Sequence, residues 1–425
     1  MKRILLEAPI LTRSGYGEHS RLVFRSLNTL EGVLVCTNPL NWGATSWMTK
    51  DSEERTLIEE SISNYQRVMS EANQQGQRSP FDAQVFIGIP NEFEKKASYS
   101  VCVTAGIETD RVSPEWLMQT HRGIDKIIVP SEHAKSGFVR TSYAMQNQKT
   151  QTSTVLECNC PVEVVPYPVK DVESSQIDLD ITTKFNFLSV ALLGTRKNLE
   201  NMILWFLDEF ENDDVGLIVK TGHTGGSIID KSKTRKHLKS IIEKKDRKCK
   251  VYLLHGDLTE SEVHSLYNRD DIHAYINLAH GEGYGLPIFE AAYSGLPVLA
   301  TDWSGHLDFL TAPFKEGGKE KLKKLFCKVN YDLRKVQDHA KWKDIIEDES
   351  FWAYPKESSY KSQLRSMIKN HGMYKAWASK LKETLLKTHS SDKITEMMVE
   401  ALGVQPEKPE VIDWMNMQQE VEVIE

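Results

Sequence analysis

The chain has 425 residues, 40% hydrophobic and 27% charged, with a net charge of −7. That length exceeds one ordinary core and predicts two or three domains of a soluble globular protein. The mildly acidic balance gives no global pull toward nucleic acid or anionic lipid, and no apolar run approaches the ~20 residues needed to span a bilayer.

MKRILLEAPI opens the chain and meets Glu7 and Pro9 without a small-residue cleavage site, so it reads as a first strand and not a signal peptide. SGYGEHS follows at 14–20 and leads into a helical pattern from Glu18 to Leu30. Gly15 and Gly17 make this either a structural turn or a loop facing a phosphate or a sugar. The dinucleotide fingerprint is nearly met, but the second strand ends Cys36-Thr37-Asn38 without the acid that would hold a ribose. GVLVCTN, AQVFIGI, YSVCVTA, KIIVPS and VEVVPY continue the first half as strands. A polar stretch near Lys170–Thr183 separates it from a second series, FNFLSVA, VGLIVK, KVYLLHG, IHAYINLA and PVLATD. Helical segments alternate with the strands, for instance Asn198–Glu211 and Glu260–Asn268. Strands alternating with helices, twice, predict two doubly wound α/β domains facing across a cleft.

In the second half TRKN, 195–198, puts Arg196 and Lys197 at a strand-to-helix junction, where two cations can neutralise a diphosphate. KTGHTGGS, 220–227, lacks the P-loop pattern and reads as a loop at the cleft. The basic stretch Lys231–Lys250 reads as a solvated helix face. HGEGYGLPIFEAAYSGLPVLATDWSGH, 280–306, is the most informative. Pro287 suits the first turn of a short helix and Gly295 its end. Glu282 then lies on the glycine-rich loop and Glu290 in the first turn. Two carboxylates for hydroxyls, beside bare amides and a helix dipole for phosphate, suit a nucleotide sugar. No third ligand is evident for a metal. The region after Lys319 is Lys-rich and predicted helical, including Met373–Lys387 and Lys393–Leu402. Six scattered cysteines form no pair of CxxC motifs and read as free thiols of a cytoplasmic protein.

EGYGLPIFEAAYSGLPVLATDWSG resembles the E-x7-E signature of retaining glycosyltransferases of family 4, the group 1 glycosyltransferases. VYLLHGDLTESEVHSLYNRDDIHAYIN is similar to the family's second domain, and GIETDRVSPEWL and IIVPSEHAKSGF to its first. The resemblance covers about Arg3–Leu386 and implies the GT-B fold: two Rossmann-like domains across a cleft, with a C-terminal helix crossing back to the first. The expected divisions are an acceptor domain at 1–175, a nucleotide-sugar donor domain at 176–370, helices packing back on the first domain at 371–403, and a tail at 404–425.

The resemblance further implies that Glu290 holds the donor ribose. Glu282 and the amides of Gly283, Tyr284 and Gly285 would hold the sugar, and Leu286 the diphosphate. Lys197, helped by Arg196, would neutralise the diphosphate. Gly15 and Gly17 would line the phosphates from the first domain. Lys220, His255 and Gly256 are placed with the donor, the base pocket being edged by backbone groups of 253–256. Three departures stand out: Leu192 replaces a frequent arginine, Glu108 or Arg111 takes the place of a sugar-facing histidine, and Tyr167-Pro168-Val169 replaces Gly-Val-Asp. The implied activity is transfer of a sugar from a nucleoside diphosphate sugar to an unidentified hydroxyl acceptor, with retention and without metal or other cofactor. A sugar-nucleotide epimerase, a phosphorylase and an inactive sugar-nucleotide-binding protein are the alternatives. The expected partners are the nucleotide sugar and the acceptor, with no stable nucleic-acid or transmembrane partner and peripheral membrane contact left open.

Overall fold

The computed structural model describes residues 1–404 apart from 44, 50, 147–152, 225, 243–244 and 317; the expected tail beyond Val404 lies outside the described residues. Two parallel six-stranded sheets organise the chain. The first contains β1 (Lys2–Ala8), β2 (Val33–Pro39), β3 (Ala83–Ile87), β4 (Tyr99–Val103), β5 (Lys126–Val129) and β6 (Val162–Val164), in the order β2-β1-β3-β4-β5-β6. The second contains β7 (Phe185–Val190), β8 (Val215–Lys220), β9 (Lys250–Leu254), β10 (Ala274–Asn277), β11 (Val298–Thr301) and β12 (Cys327–Val329), in the order β9-β8-β7-β10-β11-β12. Helices cover both faces, so the strands are near-continuous apolar runs, buried throughout in β3 and β10. This is the GT-B arrangement of two doubly wound domains.

The extended residues 165–184 join the domains. The return crossing lies beside them, for the Val169 N–H donates to the His389 carbonyl at 2.8 Å. Of the helices expected to pack back on the first domain, His371–Thr388 stays with the second, its Leu381 and Leu385 buried against the helix Leu286–Ser294 and its neighbours. Only Ser391–Leu402 crosses. Its Ile394, Met398 and Leu402 join the first domain's core with Leu22, Val23 and Leu27, and the Lys126 ammonium and Tyr99 hydroxyl donate to its last carbonyls, at Ala401 and Leu402.

The region after Lys319 differs from the helical expectation. Lys319–Lys324 pairs antiparallel with Thr311–Glu316, and Tyr331–Lys335 with Phe351–Pro355; apart from a single 3-10 turn at Asp338–Ala340, helix begins at Glu357 among the described residues. KEKLKK has a single apolar residue and cannot bury a helical stripe. As a strand it lays the Lys323 ammonium over the Phe314 and Trp377 rings, 5.1 and 4.8 Å from their centroids. Among the described residues no helix is long and apolar enough to cross a membrane.

Candidate active site

In an open α/β sheet a ligand binds beyond the carboxyl ends of the strands, where the strand order reverses. In the second sheet the chain runs outward from β7 to β9 and returns on the other side of β7 at β10. The loops after β7 and β10 therefore lie side by side. The His280 N–H donates to the Arg196 carbonyl at 2.8 Å, and the Asn198 amide to the Leu278 carbonyl at 3.2 Å. Asn198 has φ of 52°, a left-handed conformation that asparagine tolerates. It joins the turn 195–197 to the helix Leu199–Glu209.

That junction brings Glu108, Arg196, Lys197 and Glu282 together. Lys197 Nζ donates to both Glu282 oxygens, at 2.6 and 2.9 Å. Arg196 Nη1 donates to Glu282 Oε2 at 3.0 Å and to the Gly281 carbonyl at 2.8 Å. On its other edge Arg196 Nε meets Glu108 Oε2 at 2.7 Å, across the domain boundary. Arg111 pairs instead with its neighbour Asp110. Burial opposes ionisation of Glu282, but the attraction of Lys197 and Arg196 outweighs it and lowers the carboxyl to about 2. Glu108 is raised, because burial outweighs its cations. Burial and the neighbouring guanidinium together lower Lys197. Two cations and two carboxylates thus balance in a water-poor site.

The Glu282 backbone is equally fixed. Its N–H donates to the Ser304 hydroxyl at 2.9 Å, and its carbonyl accepts from Gly305 at 2.9 Å. Ser304 takes φ of 91° to do this, a conformation that costs a non-glycine residue ~1–3 kcal/mol.

The glycines of this loop admit the first domain. A Cβ on Gly283 would stand 1.9 Å from the Ala105 carbonyl oxygen, and one on Gly281 2.0 Å from that of Glu108. Ser131 donates to the Gly283 carbonyl at 2.6 Å, and the Glu132 N–H to Asp308 Oδ2 at 2.7 Å. The two domains are closed on each other here. Gly15 stands against Leu286 at the start of the helix Leu286–Ser294, a Cβ there falling 3.8 Å from Leu286 Cδ1. Gly17 has no room for a side chain, since a Cβ would stand 2.0 Å from the Thr12 carbonyl oxygen. The Tyr284 side chain packs away from this seam, among Tyr167, Phe289 and Phe309.

Glu290 does not share the Glu282 cluster. Its Oε2 accepts from the Tyr267 hydroxyl at 3.0 Å, and burial raises it to about 7 against the pull of Lys170. Lys170 itself bridges the domains, 2.9 Å from Glu18 and 2.8 Å from Glu260. Lys220, at the end of β8, lies near Arg13 and Asp257, and burial lowers its ammonium. The His255 ring is turned into Asp230, 2.7 Å away, so only the backbone of Gly256, at φ of 121°, borders the cleft there. Ser131 reads locally only as a helix cap, and nothing local in the sequence marks the contacts that Lys170, Ser131 and Ser304 make with residues more than twenty positions away.

Among the described residues no cluster of three His, Cys, Asp or Glu could hold a metal ion. A depression of about 470 Å³ lined by Phe185, Val215 and Arg365 sits at the amino ends of β7 and β8, the wrong end of the sheet for a ligand site.

The two facing parallel-sheet domains define a GT-B fold. Residues 171–322, which run from the linker into the second domain, match the model of the family described as Glycosyl transferases group 1. No curated protein matches the sequence. Among solved structures the chain is similar to Anabaena HepE in complex with UDP and glucose: TM-score 0.58, 12% identity, 95% of this chain and 100% of that one. It is also similar to sucrose-phosphate synthase from Thermosynechococcus elongatus, with TM-score 0.57, 11% identity, and 94% and 98% of the two chains. A trehalose-6-phosphate protein from E. coli bound with UDP-2-fluoro glucose gives TM-score 0.56 and 10% identity over 94% and 99%.

Proposed function

We propose that the chain moves a sugar from a nucleoside diphosphate sugar to a hydroxyl acceptor, with retained anomeric configuration and without a metal. The observation that carries this reading is the convergence of Arg196 and Lys197 on Glu282 at the β7/β10 reversal. UDP and glucose, and UDP-2-fluoro glucose, are bound in two proteins of the same fold, which supports a nucleotide-sugar donor.

The arriving diphosphate takes over Lys197 and Arg196. Glu282, released from them, accepts from sugar hydroxyls. The amides of Gly283, Gly285 and Leu286 and the dipole of the helix behind them face the phosphates. Glu290 receives the ribose, the backbone around Gly256 borders the base, and Gly15 closes from the first domain. In the reaction the bond from the anomeric carbon to the diphosphate oxygen breaks. The acceptor oxygen bonds to that carbon on the same face, and its proton passes to the departing phosphate. Arg196 and Lys197 stabilise the charge growing on the leaving diphosphate, a role for fixed cations in a low-dielectric site.

The test is to incubate the purified chain with UDP-, GDP- and ADP-sugars, a panel of hydroxyl acceptors and a chelator, and to follow the anomeric proton by NMR. Product of unchanged anomeric configuration is expected from one donor class. An inverted product, or turnover abolished by chelation and restored by a divalent ion, overturns the reading.

A further inference from the structure

The helix Ile228–Ile241 stands apart from its surroundings. The chain is acidic overall, yet between 228 and 250 Lys and Arg outnumber Asp and Glu by ten to three. One row, Asp230, Thr234 and Leu238, faces inward, and Asp230 is held by the His255 ring. Apart from His237, which turns to Glu200, and the half-buried Ile241, the rest of the helix faces solvent. Among the described residues Lys231, Lys233, Arg235, Lys236 and Lys239 form no ion pair, although elsewhere on this surface lysines and arginines are paired repeatedly. At the head of this cationic face are Ile228, 87% exposed, and Ile229, 70% exposed, the first two residues of the helix. Their exposure is not required by the helix start, because the Ser227 side chain already caps it by accepting from the Asp230 N–H.

Two aliphatic side chains in water beside five unpaired cations match one surface better than any other. A nucleic acid would answer the cations but leave the isoleucines in water, and the helix's one aromatic ring, His237, is engaged by Glu200 and His223 rather than presented for a base to stack on. An anionic bilayer answers both. The isoleucines enter the acyl boundary and the cations lie among the headgroups, the apolar-plus-polybasic combination that stable peripheral binding needs. We infer that Ile228, Ile229 and the cations of this helix form a docking surface for an anionic lipid bilayer.

The place of the helix in the fold gives the docking a direction. The helix follows the loop after β8, at the carboxyl end of the second sheet where Glu282 also stands. The neighbouring loop is tied to it by the Leu193 N–H donating to the Gly222 carbonyl at 2.9 Å, and presents Leu192, 51% exposed. Docking through this corner holds the rim of the cleft at the headgroups.

The experiment is cosedimentation of the full chain with vesicles of equimolar phosphatidylserine and phosphatidylcholine, against phosphatidylcholine alone. Binding is expected to the first and not to the second. The triple change Lys231→Glu, Arg235→Glu and Lys239→Glu is expected to weaken it by at least ~100-fold, from about fivefold for each cation lost. Ile228→Ser with Ile229→Ser is expected to weaken it while leaving the thermal midpoint unchanged, since both side chains already face water. Equal binding to both vesicles, no binding, or binding indifferent to the isoleucines overturns the proposal. So does tighter binding to duplex DNA that needs the cations and not the isoleucines.

Discussion

Lys197 Nζ and Glu282 Oε1 stand 2.6 Å apart at the floor of the interdomain seam, each mostly shielded from water. The pair holds in reserve both groups that the proposed donor requires, and Arg196 and Glu108 complete an electroneutral set. Lys197→Ala is expected to lower kcat/KM by ~100-fold, the loss typical of one charge-stabilising donor at about 3 kcal/mol. Steady-state kinetics at a temperature where the variant is folded decides this, and turnover at the wild-type rate would end the assignment.

Donor binding is expected to raise thermal stability with only one class of nucleotide sugar. At a free concentration a hundred times Kd the gain is about 2.7 kcal/mol. A melting panel of UDP-, GDP- and ADP-sugars reads it directly. With Lys197→Ala the gain at the same concentration should shrink, because the diphosphate loses a cation.

Gly283→Ala acts on closure. Its methyl would meet the Ala105 carbonyl oxygen, a backbone atom that cannot swing aside, so the seam has to part by an ångström or more. The variant should fold, since the clash lies between domains and not within one core. Small-angle scattering should show a larger radius of gyration, and turnover should fall. A variant as compact and active as the wild type would show that Gly283 tolerates the contact.

Glu290 sets a pH dependence. Its folded-state value of about 7 lies above the ordinary 4.5, so between these values the folded protein holds a proton that the unfolded chain has released. Stability therefore falls as pH rises from about 4.5 through 7, by at most ~3 kcal/mol before allowance for its partial exposure. Glu290→Gln should flatten this part of the curve. Glu282 has the opposite sign: lowered to about 2, it contributes stability above the ordinary value that is lost as pH falls toward 2. Chemical denaturation across pH separates the two, and an unchanged slope in Glu290→Gln would refute the first.

Much of this was legible in the sequence. The apolar runs marked every strand of the two parallel sheets except Cys327–Val329, because strands buried on both faces leave little else to write there, whereas that short edge strand lies in a lysine-rich region that reads as helical. The glycine-rich loop before Leu286 marked the crevice, since bare backbone is what lets the first domain approach. Pairing was less legible than placement. Glu282 and Glu290 are eight positions apart, yet they report to different clusters, because a loop and a helical turn separate their side chains. Lys170 and Glu18 could not be read as partners of the Glu290 region, for only the folded linker brings them there. Lys319–Lys324 looked helical by composition, but a lysine-rich stretch fits any solvent-facing element, and its pairing with Thr311–Glu316 decided the outcome.

The crossing of Ser391–Leu402 bears on how the protein can be dissected. A fragment cut in the linker would leave the first half with a greasy trench where Ile394, Met398 and Leu402 had lain. It would leave the second half trailing an amphipathic strap with nothing to grip. Neither piece is a sound unit for expression or assay on its own. Separating the halves means grafting the strap, on a short linker, onto the piece that carries β1 to β6.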